Sequence, residues 1–408
     1  MRDNGRMKVL FLVAPFRLKE GASERIVYEL IQRLSNMGVE VLVIQPGYGQ
    51  DIIQMDKGIK VYQYASISFT GRSFEYLLHY SFLWANLNKL LKKIVDKESV
   101  DLIVSSRFYN TLFITQEILD KSPLIIYELN HYPWVDDPGF RLMPMLKYIT
   151  SQFDRKLQLN IARIIMKKAA AVIAVSGALK MWILENVRMP HNKIYVVYNG
   201  VDTRRFSPSL CKENMKDRRE KIILHVGTDH VVVRKGLHYC IKVMKYLPKS
   251  VKLLVVGYRY TPPENRKYME WIKRMISNYG LTNRVIFTGW VPEAELPVYF
   301  AKSDVYLFPS LLEGFGLSVA EALASGKPVV GFDIPPINEL VENQKEGILV
   351  PVGDVKALAE AVKSLLFNES LLAEMSYNAR KKALEKFSWD RIVAEHLKIY
   401  ERVLSRRS

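Results

Sequence analysis

Cysteine is almost missing: the 408 residues contain Cys211 and Cys240 and no other. Two cysteines exclude a disulfide framework and are compatible with a reducing compartment. Long apolar runs are missing too. No window approaches the roughly 20 uninterrupted apolar residues of a membrane-spanning helix, so a soluble or peripheral protein is expected. The charged start, Met1 to Met7, leads into the short apolar run Val9 to Pro15 with no small-residue cleavage site, so no secretion signal is expected. No Gly-x-Gly-x-x-Gly follows that first run, which argues against a nicotinamide-dependent oxidoreductase. Neither an Asp-x-Asp after a strand nor a His/Cys cluster with ligand spacing is found, so neither a metal nor any other cofactor is expected.

Apolar residues make up 49% of the chain, and its length exceeds what one hydrophobic core usually serves, so two domains are expected. The formal net charge is +17, which suits a polyanionic partner such as a phosphate-rich nucleotide, nucleic acid or an anionic lipid surface. That excess is local: residues 1–138 sum to about zero, whereas 139–200 carry about +8. Within Gly139 to Ala170, Arg141, Lys147, Arg155, Lys156, Arg163, Lys167 and Lys168 face the single acid Asp154. Long apolar residues lie between them. Such a segment suits either a helix lying on a membrane surface or a core-facing helix with a solvated basic face.

Apolar strands alternate with amphipathic helices along the whole chain. The run at 9–15, a periodic helix at about 24–36 and the run at 39–45 form a strand, helix, strand unit of parallel-sheet type. Further strands are expected at 101–105, 123–128 and 171–175. After Asn199-Gly200 the composition turns polar, from Pro208 through Glu220, which marks a domain junction. The alternation restarts with runs at 221–227, 251–257, 284–289, 304–310 and 327–333. Two doubly wound α/β sheets are therefore expected, with ligands beyond the carboxyl ends of their strands.

The richest such end is PSLLEGFGLSVAEALASGKPVVG, after the run at 304–308. Gly314 and Gly316 let backbone approach a ligand closely, and a helix opening near Leu317 or Ser318 points free N–H groups toward a phosphate. Glu313 precedes that helix and Glu321 lies about one turn inside it. Carboxylates repel phosphate but accept hydrogen bonds from sugar hydroxyls, so a donor hexose and a ribose are the natural partners.

This segment resembles the Glu-x7-Glu signature of family 4 retaining glycosyltransferases. The likeness also covers EGASERIVYEL (20–30), AVIAVSGALK (171–180), YNGVDTRRFSP (198–208), RKGL (234–237), NELVENQKEGILVPVGD (338–354) and FSW (387–389), in the family's order. It implies a GT-B fold, with two Rossmann-like domains facing across a cleft. Residues 1–205 would bind acceptor and 206–387 the nucleotide sugar, with a terminal helix at about 388–408 returning to the first domain. By the same resemblance Glu313 binds the donor sugar and Glu321 the ribose. The amides of Phe315, Gly316, Leu317 and Ser318 lie against sugar and diphosphate, with Gly314 and Gly227 lining the donor site. Lys235 neutralises the diphosphate. The family commonly places an arginine directly after the glycine of the preceding strand; here Thr228 follows Gly227, and Arg234 is expected to supply that second charge. Gly21-Ala22-Ser23-Glu24 resembles the family's Gly-Gly-x-Glu loop with Ala22 in place of the second glycine, so Gly21 alone would approach the diphosphate. His131, in ELNHYPW, stands where the family has an active-site histidine.

The reaction implied is metal-independent transfer from a nucleotide-diphosphate sugar to a hydroxyl of a glycan or lipid-linked saccharide, with retained anomeric configuration and closure of the two domains. A sugar phosphorylase or disaccharide synthase of the same fold is the alternative. A non-catalytic polyanion- or membrane-binding protein leaves Glu313 and Glu321 without a role, and nucleic acid is not an expected partner. A cytoplasmic location, with an anionic inner membrane surface as a candidate partner, fits the basic segment.

Overall fold

Short, nearly unbroken apolar runs separated by helical stretches are what strands buried on both faces of a parallel sheet require. The computed structural model describes residues 6–13, 22–47, 53–54, 59–65, 87–106, 111, 114–128, 159–210, 220–227, 233–257 and 266–406, and shows two such sheets. The chain divides into two compact units: one runs to Tyr198 and takes in Ile392–Ser408, and the other comprises Asn199–Arg391.

The first unit contains, in order, β1 (Lys8–Leu12), α1 (Ala22–Asn36), β2 (Glu40–Gly47), β3 (Ile53–Gln54), β4 (Lys60–Ala65) and α2 (87–98). It continues with β5 (Leu102–Ser105), α3 (Gln116–Lys121), β6 (Leu124–Glu128), α4 (159–168), β7 (Ala171–Ala174), α5 (Gly177–Val187) and β8 (Ile194–Val196). Among the described residues its sheet has the order β3-β4-β2-β1-β5-β6-β7-β8, parallel throughout except for the antiparallel β3–β4 pair. Strands β5 and β7 are buried along their whole length.

The second unit contains β9 (Lys221–Val226), α6 (Leu237–Met244), β10 (Val251–Val256), α7 (Arg266–Asn278), β11 (Val285–Gly289), α8 (Leu296–Lys302) and β12 (Val305–Phe308). After these come α9 (Leu317–Ala324), β13 (Val329–Phe332), α10 (Ile337–Leu340), β14 (Gly347–Val350), α11 (Val355–Leu366) and α12 (Glu369–Lys382). The all-parallel order β11-β10-β9-β12-β13-β14 is that of a dinucleotide-binding sheet, reversing direction between β9 and β12. Asp304 fixes that junction: its carboxylate accepts from the Ile222 amide at 2.7 Å, and its own amide donates to Ile222 O at 2.8 Å.

Two sequence blocks far apart in the chain meet in this unit. The Val201 amide donates to Phe387 O at 2.8 Å, and a Cβ on Gly200 would lie 2.3 Å from the Trp389 indole, so only glycine fits there. Arg380 on α12 donates to Thr203 O, Phe206 O and Ala324 O, tying the 203–206 turn to the end of α9. The last helix, α13 (Trp389–Ser405), starts in this unit, and its residues from Ile392 on belong to the first. There His396 is buried, edge-on to Tyr127 of β6 at 4.8 Å.

The expected strands are present, most of them one to three residues shorter than expected, while β2 runs two residues further, to Gly47. Strands β3, β4, β8 and β14 were not anticipated. The first three lie at or beside a sheet edge, and β14 is the outermost strand of the second sheet, where a short or mixed run gives little periodic signal. The described part of the basic segment buries Ala162, Ile165 and Met166 in the first unit's core, so α4 is a core-facing helix with Lys167 and Ile164 on its exposed side.

Candidate active site in the second unit

At the reversal point the loops after β9 and β12 are neighbours, because those two strands are adjacent and parallel. The described residues beyond their carboxyl ends, 233–236 and 309–316, are therefore brought together. Gly236 adopts φ +74°, and a Cβ there would lie 1.9 Å from Pro309 O; only glycine lets the two loops pack backbone to backbone. The Arg234 carbonyl locks them together, accepting from the Leu311 amide at 2.9 Å.

Held by this framework, Lys235 Nζ donates to Glu313 Oε1 at 2.8 Å, with the carboxylate almost wholly buried. Ser310 Oγ donates to the same oxygen at 2.6 Å. No hydrogen bond among the described residues falls on Oε2. Burial is the largest influence on the Glu313 carboxyl and would raise its pKa. The charges of Lys235 and Arg234, with the hydrogen bonds from Lys235 and Ser310, outweigh it and hold the pKa below the ordinary value. Glu313 is thus an ionised, fixed acceptor. The Lys235 ammonium also lies 5.1 Å above the Phe308 ring. Arg234 Nε is buried and makes no hydrogen bond among the described residues.

Helix α9 starts at this point. Its cap, Gly316, has φ +94°, and a Cβ there would meet Ile337 Cδ1 at 2.7 Å. The first-turn amides of α9, at Leu317 and Ser318, belong to the set a helix leaves without internal partners. Glu321 lies in the second turn and is 3% exposed, a rare position for a carboxylate in a helix otherwise built from Leu, Val, Ala and Ser. Phe315 is buried, edge-on to Phe387 at 6.1 Å. Gly227 directly follows β9, and a Cβ on its neighbour Gly257 would lie 2.1 Å from Gly227 O, so this strand end also demands close backbone packing.

The structure thus brings Arg234, Lys235, Glu313 and the start of α9 to one place. Gly21, Thr228 and His131 lie outside the described residues. Sequence reasoning missed Ser310 and His225. Ser310 carried a weak signal as the polar residue ending the DVYLFPS run. His225 interrupts the apolar run KIILHVG. It is buried, its ring Nδ1 lies 3.1 Å from Leu307 O, and burial, with the Lys235 charge adding, lowers its pKa to about 4. A neutral ring donating Nδ1–H to that carbonyl follows, and it joins β9 to β12 beneath the loops. Among the described residues no group of three His, Cys, Asp or Glu side chains is placed to hold a metal ion, and no helix is long and apolar enough to cross a membrane.

Comparison with known proteins agrees with this geometry. Residues 208–382 match the family model "Glycosyl transferases group 1", and residues 23–205 match "Glycosyltransferase Family 4". An uncharacterized glycosyltransferase of Methanocaldococcus jannaschii is 30% identical over 244 residues, 57% of this chain and 60% of that protein. The N-acetyl-alpha-D-glucosaminyl L-malate synthase of Bacillus anthracis is 31% identical over 251 residues, 60% of this chain and 63% of the relative. These alignments span somewhat under two thirds of the relatives' length. Among solved structures, a sucrose-phosphate synthase from Thermosynechococcus elongatus superposes with TM-score 0.79 at 20% identity, covering 98% of this chain and 100% of that one. Anabaena HepE, solved with UDP and glucose, gives 0.70 at 22% identity, covering 97% and 100%. With two family models spanning most of its length and two parallel-sheet α/β domains matching GT-B structures, the chain belongs to glycosyltransferase family 4.

Proposed function

We propose that the chain is a retaining, metal-independent hexosyltransferase that moves a sugar from a nucleotide-diphosphate sugar to a hydroxyl of a glycan or lipid-linked saccharide. One observation carries this reading. An ionised carboxylate is fixed by a lysine at the point where the sheet reverses, beside an arginine whose buried Nε has no hydrogen-bond partner among the described residues. That combination suits a ligand with hydroxyls at one end and a diphosphate at the other.

In this proposal Glu313 accepts from donor-sugar hydroxyls and Glu321 from the ribose. Arg234, Lys235 and the amides of Phe315, Gly316, Leu317 and Ser318 face the diphosphate, with Gly227 and Gly314 lining the site. As the bond between the anomeric carbon and the phosphate oxygen breaks, negative charge grows on the departing nucleotide diphosphate, where fixed cations and amides stabilise it. The acceptor oxygen bonds to the anomeric carbon on the same face, and its proton passes to the leaving phosphate oxygen. No protein carboxylate acts as nucleophile. By the family resemblance alone, Gly21 is assigned to donor binding and His131 to catalysis, and the N-terminal half to binding of the acceptor. The exposed side of α4 would hold the protein against an anionic membrane surface at the cytoplasmic face.

The test is a thermal-shift screen of nucleotide diphosphates and their sugars, UDP and GDP forms first, followed by product analysis. A ligand at 100 times its Kd raises native stability by about 2.7 kcal/mol, which a melting curve resolves. Stabilisation by one nucleotide series, turnover unaffected by EDTA, and an α-linked product from an α-linked donor are expected. Failure of every nucleotide to stabilise the protein would remove the reading, and turnover only with free phosphate would replace it by a phosphorylase. Flotation with phosphatidylglycerol vesicles at low salt decides the membrane part, which falls if the protein stays with the soluble fraction.

A further inference from the structure

We propose that Tyr268 on α7 is a positioning residue for Lys235, acting as an external cap on helix α6; this rests on reading Lys235 as the diphosphate-binding cation. Helix α6 begins immediately after Arg234-Lys235-Gly236, and its cap residue, Gly236, has no side chain to satisfy the first-turn amides. The neighbouring helix supplies the missing acceptor. The His238 amide donates to Tyr268 Oη at 3.1 Å, and the same oxygen lies 2.9 Å from His238 Nδ1. One phenol therefore holds both the backbone and the ring of a first-turn residue.

The protonation states fit this double role. Burial pushes the Tyr268 phenol well above its ordinary pKa, so it keeps its proton. Burial, with the Lys242 charge adding, lowers the His238 ring to about 4, so it is neutral at physiological pH. The phenol oxygen can then accept from the amide while its proton goes to Nδ1. Rings stiffen the clamp: Trp271 of α7 lies 5.7 Å from His238 and 5.6 Å from Tyr268, and Tyr239 stands edge-on to Phe332 at 4.9 Å.

Lys235 is flanked by one pin and followed by a second. Directly on either side of it, Gly236 is pressed against Pro309 O and the Arg234 carbonyl accepts from the Leu311 amide. Three residues after Lys235, the only capping partner of the His238 amide among the described residues is the phenol of Tyr268. Without the second pin the first turn of α6 is free to fray, and the Lys235 ammonium loses its fixed distance to Glu313.

Tyr268→Phe removes the hydroxyl and keeps the ring. Three measurements on the full chain decide the matter. Amide exchange at His238 and Tyr239 should quicken about fivefold, the equivalent of one lost helix cap. The Glu313 carboxyl, followed by carbon-13 NMR, should titrate at higher pH than in the parent. Affinity for UDP or GDP should fall by a similar factor in the parent background and by less than twofold in a Lys235→Ala background. Unchanged exchange or an unchanged Glu313 titration would overturn the proposal, as would equal affinity losses in both backgrounds. If the parent protein binds neither UDP nor GDP, the donor-site reading fails, while the Glu313 titration still decides whether Tyr268 positions Lys235.

Discussion

Replacing Lys235 by Met keeps most of the side chain's length and removes its charge, which isolates what the ammonium does for Glu313. In the parent protein the Lys235–Glu313 pair is 2.8 Å long, with side-chain exposures of 15% and 4%. Removing one partner of so buried a pair costs about 3–5 kcal/mol, because the remaining charge is left uncompensated. Arg234 and Ser310 still face Glu313, so the lower end, about 3 kcal/mol, is expected at neutral pH. For a domain of this size that is a fall of about 6–12 °C in Tm.

The pH dependence follows from the direction of the shift. In the parent, the folded-state pKa of Glu313 is depressed below 4.5, so the pair's contribution is present above that value and is lost as pH falls through the folded pKa. In Lys235→Met burial is opposed only by Arg234 and Ser310, so the folded pKa is higher than in the parent and the variant gains relative stability as its carboxyl takes a proton. The gap between the two proteins should therefore be widest near pH 7 and shrink toward pH 4.5. Urea denaturation of both proteins across that range measures it. A gap that stays constant or widens as pH falls would refute the assignment of Glu313 as the ion that Lys235 stabilises.

Three further outcomes are expected. Glu321→Gln should weaken UDP or GDP binding by about tenfold in calorimetry while leaving sugar-phosphate fragments unaffected, since a neutral amide is a poorer acceptor for ribose hydroxyls; equal losses for both ligands would place Glu321 elsewhere. Gly280 and Gly236 both have positive φ, but only Gly236 lacks room for a Cβ. Gly280→Ala should accordingly cost about 1 kcal/mol and Gly236→Ala at least about 3 kcal/mol in chemical denaturation, and equal costs would contradict the close approach to Pro309. His225 is neutral in the fold with a pKa of about 4 against 6.5 unfolded, so its contribution is lost as pH falls below 6.5. About 2 kcal/mol should disappear by pH 5. A His225→Asn variant with the same pH profile as the parent would show that His225 is not the titrating group.

The sequence by itself determined the kind of fold and marked out most residues of the candidate site. Apolar runs of strand length, separated by periodic helices, leave few alternatives to parallel sheets, and Glu313-Gly-Phe-Gly followed by Glu321 places a helix start and two carboxylates within nine residues. Such signals are local, so they survive in one dimension. Only the tertiary structure decided what those residues do to one another. Lys235 and Glu313 are 78 positions apart and meet because β9 and β12 are neighbours where the sheet reverses. Strand order is a property of the closed fold and leaves no mark in either segment. The same holds for the basic stretch: its charge pattern left open which face packs on the core, and burial of Ala162, Ile165 and Met166 fixed that face over its described part, leaving Lys167 and Lys168 exposed. Tyr268 and His225 carried no motif at all. Their significance lies in burial and in one or two hydrogen bonds across elements, which exist only once the apolar surfaces around them have closed.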